Sequence, residues 1–432
     1  MKIFKLSLIK AFLVSILFSI SYYFYNIEII RANIEDFAFD IINKFYFNHT
    51  TTNIKEPKIL LFTIDNFYMK EQKLFDEQNN TNYGYLFPRD KIANFIESLD
   101  EFYNDIEKEN RFKALFIDYD FSFSTLPYGK ELSLQDKKLI EVLAKKRDYT
   151  ILLPVVSSYN FLMHQLKLQQ NIKDKKIIFV SVNLKVGDDG IVRRYQAYSD
   201  YNNTTYPNIS VALFNLVKNK DINITKIKQK FKKEDIVANR IFLKDYKSYS
   251  LEDNCPTQTS YWTNLTKYSA NCNFYDIAEE DFANSILMLG ANHSQSYDKF
   301  DTLDILSATN YSGIELHANS INSLLFLNGQ LKRVNFIESL LLVFFVTFVI
   351  SFIISNIFNK FNKLNSKIEL IILLAISGGA MFFISIYLLL AKKVWFNPIV
   401  PFLLFEAVEI LEYIKESLPK LKQKLRRKSW KN

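Results

Sequence analysis

The sequence predicts an α/β protein whose mostly parallel sheet with flanking helices forms a periplasmic domain, joined to one N-terminal and three C-terminal transmembrane helices. Three observations predict this. Long uncharged apolar runs lie near both ends of the 432-residue chain, cations flank those runs, and the middle alternates short apolar runs with segments of helical periodicity. A hydrophobic content of 49% excludes a disordered chain, and only nine Gly and nine Pro argue against a repetitive fibrous one.

The membrane spans are predicted from four apolar stretches that approach the length a bilayer core requires. They lie at residues 1–26, about 336–358, about 368–391 and about 394–414. The first stretch is followed by no small-residue cleavage site, which is typical of an uncleaved anchor. The last is the weakest prediction, because Glu406 and Glu409 cost free energy in lipid unless other helices shield them.

The positive charge of the chain lies next to these apolar stretches. Lysine and arginine concentrate in residues 1–10, 359–367 and 415–432, and this surplus exceeds the net charge of +8 for the whole chain. By the positive-inside rule we expect both termini in the cytoplasm of a bacterial inner (plasma) membrane, and the domain at 27–333 in the periplasm or exterior. The same distribution argues against a basic stripe on a folded domain, so we expect no nucleic-acid partner.

The basic cytoplasmic tail predicted at 415–432 has two interpretations. Apolar residues near it follow the 3-4-3-4 spacing of a short coiled coil, namely Leu411, Ile414, Leu418, Leu421 and Leu425. A coiled coil predicts pairing of two chains, whereas a tail that only orients the protein needs no more than its cations.

The middle segment begins with an amphipathic helix predicted at 27–45, after which strands and helices alternate. The strands are placed at 58–65, 113–121 and 150–156, and the helices near 88–99 and 134–146. This order requires right-handed crossovers and predicts a parallel sheet covered on both faces. Pro154 favours an edge position for the third strand.

Further along the chain, alternating apolar and polar residues at 176–199 predict a hairpin that turns at residues 187–190. A helix is then predicted at 208–218, a buried strand at 285–291 and a helix at 313–328. Residues 219–280 predict no more than scattered short strands.

Two cysteines, Cys255 and Cys272, lie in the polar part of this segment. In an oxidising compartment outside the cytoplasm we expect them to form a disulfide. The alternative is two free buried thiols.

Seven segments of the middle region carry a resemblance to a known family. They are EDFAFDIINKF at 35–45, ILLFTID at 59–65, YLFPRDKI at 85–92, ALFIDYDFS at 114–122, DDGIVRRY at 188–195, ILMLGANHSQSYD at 286–298 and GIELHANSI at 313–321. In this order, and followed by three apolar stretches, they resemble the extracellular sensory domain of the CHASE class, type 2, over residues 27–330. The turn before Arg89 departs from that family, in which it usually carries tryptophans, and reads YLFPR here.

The resemblance implies a sensory receptor that binds an unknown small ligand or a partner outside the cytoplasm and relays this through the membrane helices. Such receptors normally continue into a cytoplasmic cyclase, kinase or diguanylate-cyclase domain, whereas this sequence ends eighteen residues after residue 414. We therefore expect output through a separate effector protein or through a homodimer. The competing interpretations are an accessory or structural subunit of an envelope complex and, with less support, a periplasmic hydrolase.

Candidate site residues lie at the predicted strand ends. Asp65, Asp118 and Asn292 end or follow apolar strands, and open parallel sheets bind ligands beyond the carboxyl ends of such strands. The full set of ligand-binding candidates is Asp65, Arg89, Asp118, Asp120, Arg193, Asn292, Asp298 and His317. The alternative is that the carboxylates cap helices and tie loops through hydrogen bonds.

Three of these candidates raise separate questions. Arg89, at a helix start, suits an anionic ligand. His317 and Glu315 are two residues apart and do not share a helix face, so a metal site from this pair is not expected and a packed histidine is favoured. Alternation requires that Arg193 or Arg194 points inward, and the resemblance favours Arg193.

Catalytic motifs do not support an enzyme. The sequence contains no Gly-x-Ser-x-Gly elbow, no phosphate-binding loop and no dinucleotide-binding glycine pattern. We therefore expect a protein that is not an enzyme, with no catalytic residue, no cofactor and no metal.

Overall fold

The computed structural model describes residues 2–25, 28–47, 50–55, 57–75, 80–81, 86–126, 132–157, 160–168, 176–252, 255–296, 298–302, 309–360 and 366–429. The chain divides into two compact units. The α/β unit is Asn43–Gln330, and the helical unit combines Met1–Ile42 with Leu331–Asn432.

The described helices are α1 (Lys2–Tyr25), α2 (Glu28–Ile42), α3 (Asn66–Glu71), α4 (Arg89–Asp105), α5 (Leu134–Ala144), α6 (Phe161–Leu168), α7 (Ile209–Val217), α8 (Ile224–Lys230), α9 (Glu279–Phe282), α10 (Gly313–Leu327), α11 (Phe336–Lys360), α12 (Ser366–Lys392) and α13 (Ile399–Ser429). The described strands are β1 (Ile59–Ile64), β2 (Ala114–Asp118), β3 (Thr150–Val155), β4 (Ile177–Ser181), β5 (Leu184–Val186), β6 (Val192–Tyr195), β7 (Tyr198–Tyr201), β8 (Thr204–Pro207), β9 (Tyr246–Glu252), β10 (Cys255–Ser260), β11 (Leu265–Ser269), β12 (Ile286–Ala291), β13 (Lys299–Thr302), β14 (Thr309–Ser312), β15 (Lys332–Arg333) and β16 (Val394–Trp395).

One eight-stranded sheet organises the α/β unit. Its order is β4-β3-β2-β12-β1-β11-β10-β9, in which the first six strands are parallel and β10 and β9 add in antiparallel pairing. Every residue of β1 is buried, as expected for a strand covered on both faces. The predicted α/β class with a mostly parallel sheet is therefore confirmed.

The position expected for the third strand is wrong. β3 lies inside the sheet, between β2 and β4. Its pairing with β2 ends at Leu152, so the missing N–H of Pro154 interrupts no ladder bond on that side. The Nδ2 group of Asn160 also donates to the carbonyl oxygen of Pro154 at 3.1 Å. Proline is thus accommodated in an interior strand because one neighbouring strand stops short of it.

Of the segment 176–199, which the sequence predicts as a hairpin, the second half forms one. β4 joins the large sheet, whereas β5 and β6 form the antiparallel pair, with Leu184 opposite Tyr195. Gly190, in the turn, has a φ of +81°, which glycine adopts without steric cost. Among its described residues, the region at 219–280 holds α8, the strands β9, β10 and β11, and the start of α9.

Helices cover the two faces of the sheet. On one face, the apolar side of α4 packs with α5 over alternate residues of the central strands, such as Leu115 and Ile117. On the other face lies α10, whose His317 ring contacts the ring of Phe116 edge-on with centroids 5.9 Å apart. The helix α10 is almost wholly buried, although it carries many polar residues.

Among the described residues of the helical unit, three helices are long and apolar enough to cross a membrane, over Ile3–Tyr22, Phe336–Ile357 and Ala375–Lys392. α1 and α11 are antiparallel, because Phe4 contacts Phe348 at one end and Tyr22 contacts Phe336 at the other, with ring centroids 5.3 and 4.5 Å apart. The fourth predicted span lies in α13 and stays a prediction.

The expected disulfide joins Cys255 in β10 to Cys272, which follows β11. Both half-cystines are buried in the core under α4. The bond closes a loop with a sequence separation of 17 residues and ties the antiparallel end of the sheet to the segment that leads back into β12.

Replacing both cysteines tests how much this bond stabilises the α/β unit. We expect Cys255→Ser with Cys272→Ser to lower the free energy of unfolding by about 3 kcal/mol, because a loop of this size regains chain entropy when it is open. Urea unfolding of the detergent-solubilised protein, followed by tryptophan fluorescence, measures the change. The reductant dithiothreitol should lower the wild-type stability by a similar amount and leave the double variant unaffected; equal sensitivity of both proteins would contradict the bond.

Candidate functional site

Three adjacent strands bring the predicted strand-end residues to one edge of the sheet. β12 lies between β2 and β1, with Gly290 opposite Asp118 and Ala291 opposite Ile64. Asp65 follows β1 directly, and Asn292 follows β12, where its N–H donates to the carbonyl oxygen of Ile64 at 3.0 Å. These carboxyl ends form the edge at which open parallel sheets bind ligands.

A buried polar cluster lies at this edge, formed by Asp118, Asp298 and His317. The side chain of Asp118 is 11% exposed and that of His317 only 3%, and His317 Nε2 is 4.0 Å from Asp118 Oδ2. Within the described residues, neither Asp118 Oδ2 nor His317 Nδ1 has a hydrogen-bond partner. The cluster therefore presents two buried polar atoms that lack partners among the described residues.

Two glycines allow the elements around this cluster to approach closely. A Cβ atom at Gly290 would lie 2.7 Å from Cβ of Ile314, so only glycine lets α10 pack against β12 at this point. A Cβ atom at Gly313 would overlap the carboxylate of Asp298. The N–H of Gly313 donates to the carbonyl oxygen of Asp298 at 3.0 Å, which holds the start of α10 against the segment before β13.

Burial sets the electrostatics of the cluster. It raises the pKa of Asp298 to about 6, and it raises the pKa of Asp118 well above its usual range, with the negative charge of Asp298 adding to the effect. Burial also lowers the pKa of His317 to about 3, so this imidazole is neutral. Two carboxyl groups that resist ionisation thus stand beside a neutral histidine.

Asp65 and Asp120 have local structural roles. Asp65 caps α3, since its Oδ1 accepts from the N–H of Tyr68 at 2.8 Å and from the hydroxyl of Ser269 at 3.1 Å. Burial nevertheless raises the pKa of Asp65. Asp120 is exposed, and its Oδ1 accepts from the N–H of Ser122 at 2.8 Å in a local turn.

The predicted arginines bind carboxylates of their own surroundings. Arg89 is buried, and its guanidinium lies 2.5 Å from Asp136 and donates to the carbonyl oxygen of Phe123, which ties the start of α4 to the loop after β2. Arg193 is also buried and binds Asp189 through two hydrogen bonds of 2.9 and 2.7 Å, whereas Arg194 is half-buried. The inward-pointing residue of the pair is Arg193, as the resemblance favoured.

The structure gives two further residues near this edge, Glu315 and His293, contacts or an environment that the sequence did not predict. Glu315 closes a capping box with Ser312 and also binds Lys267 at 2.9 Å in a largely buried ion pair. The spacing of Ser312 and Glu315 is the sequence signature of such a box, so it was available as a signal. His293 is buried, and burial, helped by the charge of Lys299, lowers its pKa to about 4.

The chemistry available at this edge is hydrogen bonding and charge recognition. The described residues contain no group of three or more His, Cys, Asp or Glu arranged to hold a metal ion. Asp118 and Asp298 supply oxygen atoms, and His317 supplies a neutral imidazole that donates at one nitrogen and accepts at the other. Such a set suits a small polar ligand that carries donors.

A comparison with protein families found one matching family. The model of the CHASE2 domain matches residues 11–353, which is most of the chain. The protein belongs to the CHASE2 family. CHASE2 domains are extracellular sensory domains, and in this chain the matched residues run from within α1 to within α11. No match was found among curated proteins or among solved structures.

The pH dependence of stability tests the buried carboxyl pair. Because the folded pKa of Asp298 lies at about 6, above its usual 3.8, the folded state holds this proton longer than the unfolded state. Stability from this group is therefore present at low pH and is lost as pH rises from about 4 to about 6. We expect Asp298→Asn, which cannot titrate, to gain stability relative to wild type across that window, as measured by urea unfolding at each pH.

Asp189→Asn is the matched control for this experiment. Its partner Arg193 lowers the pKa of Asp189, so wild type is more stable than this variant at neutral pH. This difference in stability disappears as pH falls below about 4. Protonation of His317 and His293 is common to all three proteins and cancels in the differences. Parallel curves for wild type and Asp298→Asn between pH 4 and 6 would show that Asp298 titrates normally.

Proposed function

We propose that this CHASE2 protein is an integral membrane receptor whose α/β unit lies outside the cytoplasm, binds a small polar ligand at the strand-end cluster and relays binding through its membrane helices to a separate effector. The observation that carries this proposal is the buried cluster of Asp118, Asp298 and His317, with polar atoms that lack partners among the described residues. Its place at the carboxyl edge of a parallel sheet is where such folds bind ligands.

A purely structural role leaves this cluster unexplained. Each buried polar atom without a hydrogen bond costs about 1–3 kcal/mol of stability. Apolar side chains in place of Asp118 and His317 would remove that cost. Asp65 and Asp120, by contrast, are fully accounted for by capping and turn contacts. We therefore assign ligand binding to Asp118, Asp298 and His317, and positioning of the surrounding loops to Asp65, Asp120, Arg89 and Arg193.

The ligand expected at this site carries a protonated amine or a comparable donor group. Such a group would supply hydrogen bonds to the oxygens of Asp118 and Asp298 and stabilise their ionised forms. Because burial keeps the pair protonated to higher pH than usual, binding of a cation would release protons.

Four membrane spans are supported by the way the helices of the helical unit meet. α12 and α13 are antiparallel, since Ser377 bonds Glu406 while Ser385 bonds the carbonyl oxygen of Phe396. Glu406 and Glu409 made the fourth span the weakest prediction, and each has a partner on another helix. Ser377 donates to Glu406, and Lys10 binds Glu409 at 2.7 Å. This arrangement supports a topology with both termini in the cytoplasm.

The relay is supported by a junction around Glu35, within the helical unit. Glu35 on α2 is 1% exposed and accepts from Arg333 at 2.8 Å, from the indole N–H of Trp395 at 2.5 Å and from Asn397 at 3.0 Å. Arg333 also pairs with Trp395 through β15 and β16. The chain enters the α/β unit after α2, which carries Glu35, and leaves it just before β15, which carries Arg333. Both residues contact Trp395 in the connection between α12 and α13.

A second candidate function is docking of another envelope protein. Exposed apolar side chains lie in the segment that follows β2 and begins α5, with Phe123 at 60%, Leu126 at 42% and Leu134 at 84% exposure. In this case the protein is an accessory subunit. The ligand experiment below separates the two functions.

The ligand-binding proposal predicts a selective effect of Asp118→Asn. In a thermal-shift screen of the detergent-solubilised protein against small amines, amino acids and carboxylates, we expect amine ligands to stabilise wild type. Asp118→Asn should weaken that binding tenfold or more, equivalent to about 1.4 kcal/mol, because the amide cannot carry the charge that pairs with the cation.

The matched control is Asp120→Asn, a neighbouring carboxylate that is exposed and only ties a turn. It should leave ligand affinity unchanged. Equal loss of affinity in both variants, or unaltered binding by Asp118→Asn, would move the site elsewhere. Recovery of a stoichiometric protein partner together with the absence of any small-molecule hit would favour the accessory subunit.

The topology is tested with a reporter enzyme that is active only outside the cytoplasm. Fused after residue 200 it should be active, and fused after residues 363 or 432 it should be silent. Activity after residue 432 would mean that α13 does not span, and would place the C-terminus outside.

A further inference from the structure

Three of the acidic residues of the helix α13 differ in the partners that the neighbouring helices offer them. They are Glu406, Glu409 and Glu412. Glu409 and Glu412 both contact Lys10 on α1, with Nζ 2.7 and 2.8 Å from their carboxylates. Lys10 therefore provides a cation for both acids. The side chain of Glu409 is largely buried, whereas that of Glu412 is half-exposed.

Glu406 lies one helical turn before Glu409 and has a different environment. It is 5% exposed, and the hydroxyl of Ser377 on α12 donates to its Oε1. Among the described residues, its Oε2 has no hydrogen-bond partner. Lys10 is already shared by two carboxylates, so it is not available to neutralise a third.

The surroundings of Glu406 close it off from solvent. One residue after Ser377, Gly378 brings α12 so near to α13 that a Cβ atom there would lie 3.2 Å from the ring of Phe402. Glu409 acts electrostatically on Glu406, and Lys10 already binds Glu409. An ionised Glu406 would thus rest on a single hydroxyl donor, whereas a buried carboxylate requires a cation or several donors.

We propose that Glu406 is a proton-binding site within the membrane helices, where it holds a proton on Oε2 and accepts from Ser377 on Oε1. This inference rests on the four-span topology proposed above. A neutral acid fits a contact sealed by Gly378 and Phe402, and loss of the proton would leave an unbalanced charge between α12 and α13. The packing of these two helices, which the Glu35 junction ties to the connections of the α/β unit, is therefore linked to protonation of Glu406.

The test is carbodiimide labelling of the full-length protein in lipid nanodiscs, because dicyclohexylcarbodiimide reacts with protonated carboxyl groups in apolar surroundings. Peptide mass spectrometry then locates the adduct at pH 6, 7.5 and 9. We expect at least tenfold more labelling at Glu406 than at Glu409 in the same helix, and a decline as pH rises. Glu406→Gln should lack the adduct.

Lys10→Met provides the positive control for access of the reagent. It removes the cation from Glu409, so labelling of Glu409 should appear only in this variant. If Glu409 is labelled in Lys10→Met while Glu406 is not labelled in wild type, the proton site is refuted. Equal labelling of both residues in wild type would refute it as well. The reporter fused after residue 432 reports separately on the topology, so failure of the four-span arrangement is distinguished from failure of the proton site.

Discussion

The close contact between β12 and α10 is the interaction on which the α/β unit depends. β12 is inserted between β1 and β2, although it follows β2 by more than 160 residues in the chain. Gly290 in β12 gives Ile314 in α10 the space to pack against the sheet. A larger residue at this position would push α10 away and open the core on that face.

The candidate site is a consequence of the same contact. β12 brings the ends of β1 and β2 to either side of itself, and α10 places His317 over Phe116 and near Asp118. Gly313 then fixes the start of α10 against Asp298. The cluster therefore forms only when α10 and the segment around Asp298 have packed against the end of β2, which links any ligand bound there to the integrity of the sheet.

The buried polar side chains of α10 give this helix one defined position. Asn319 Oδ1 accepts from the indole N–H of Trp262 at 2.8 Å and from the N–H of Lys244 at 3.1 Å, and Asn322 accepts from Asn264 at 2.8 Å. Buried polar contacts of this kind favour one arrangement of the helix, because a shifted register would break them and leave more buried groups unpaired. The helical unit follows the same rule, as Glu35 and Glu409 are each held by donors from distant segments.

The sequence by itself determined the elements and the family. Short apolar runs located the strands at residues 59–64 and 114–118, and helical spacing located the helix α10, since both patterns are local properties of the chain. The order of seven short motifs was enough to identify the CHASE2 family, which the match to residues 11–353 confirms. Strand-end carboxylates were also recognisable, because parallel strands deliver their ends to one edge of the sheet.

Only the tertiary structure decided which of those residues lie together. Local sequence could not show that Arg89 binds Asp136, 47 positions away, or that β3 lies inside the sheet despite Pro154. Nor could it show that Lys10 lies beside Glu409, which is 399 positions away. Pairing across such distances depends on how whole elements pack, whereas periodicity and capping depend on neighbours a few residues apart.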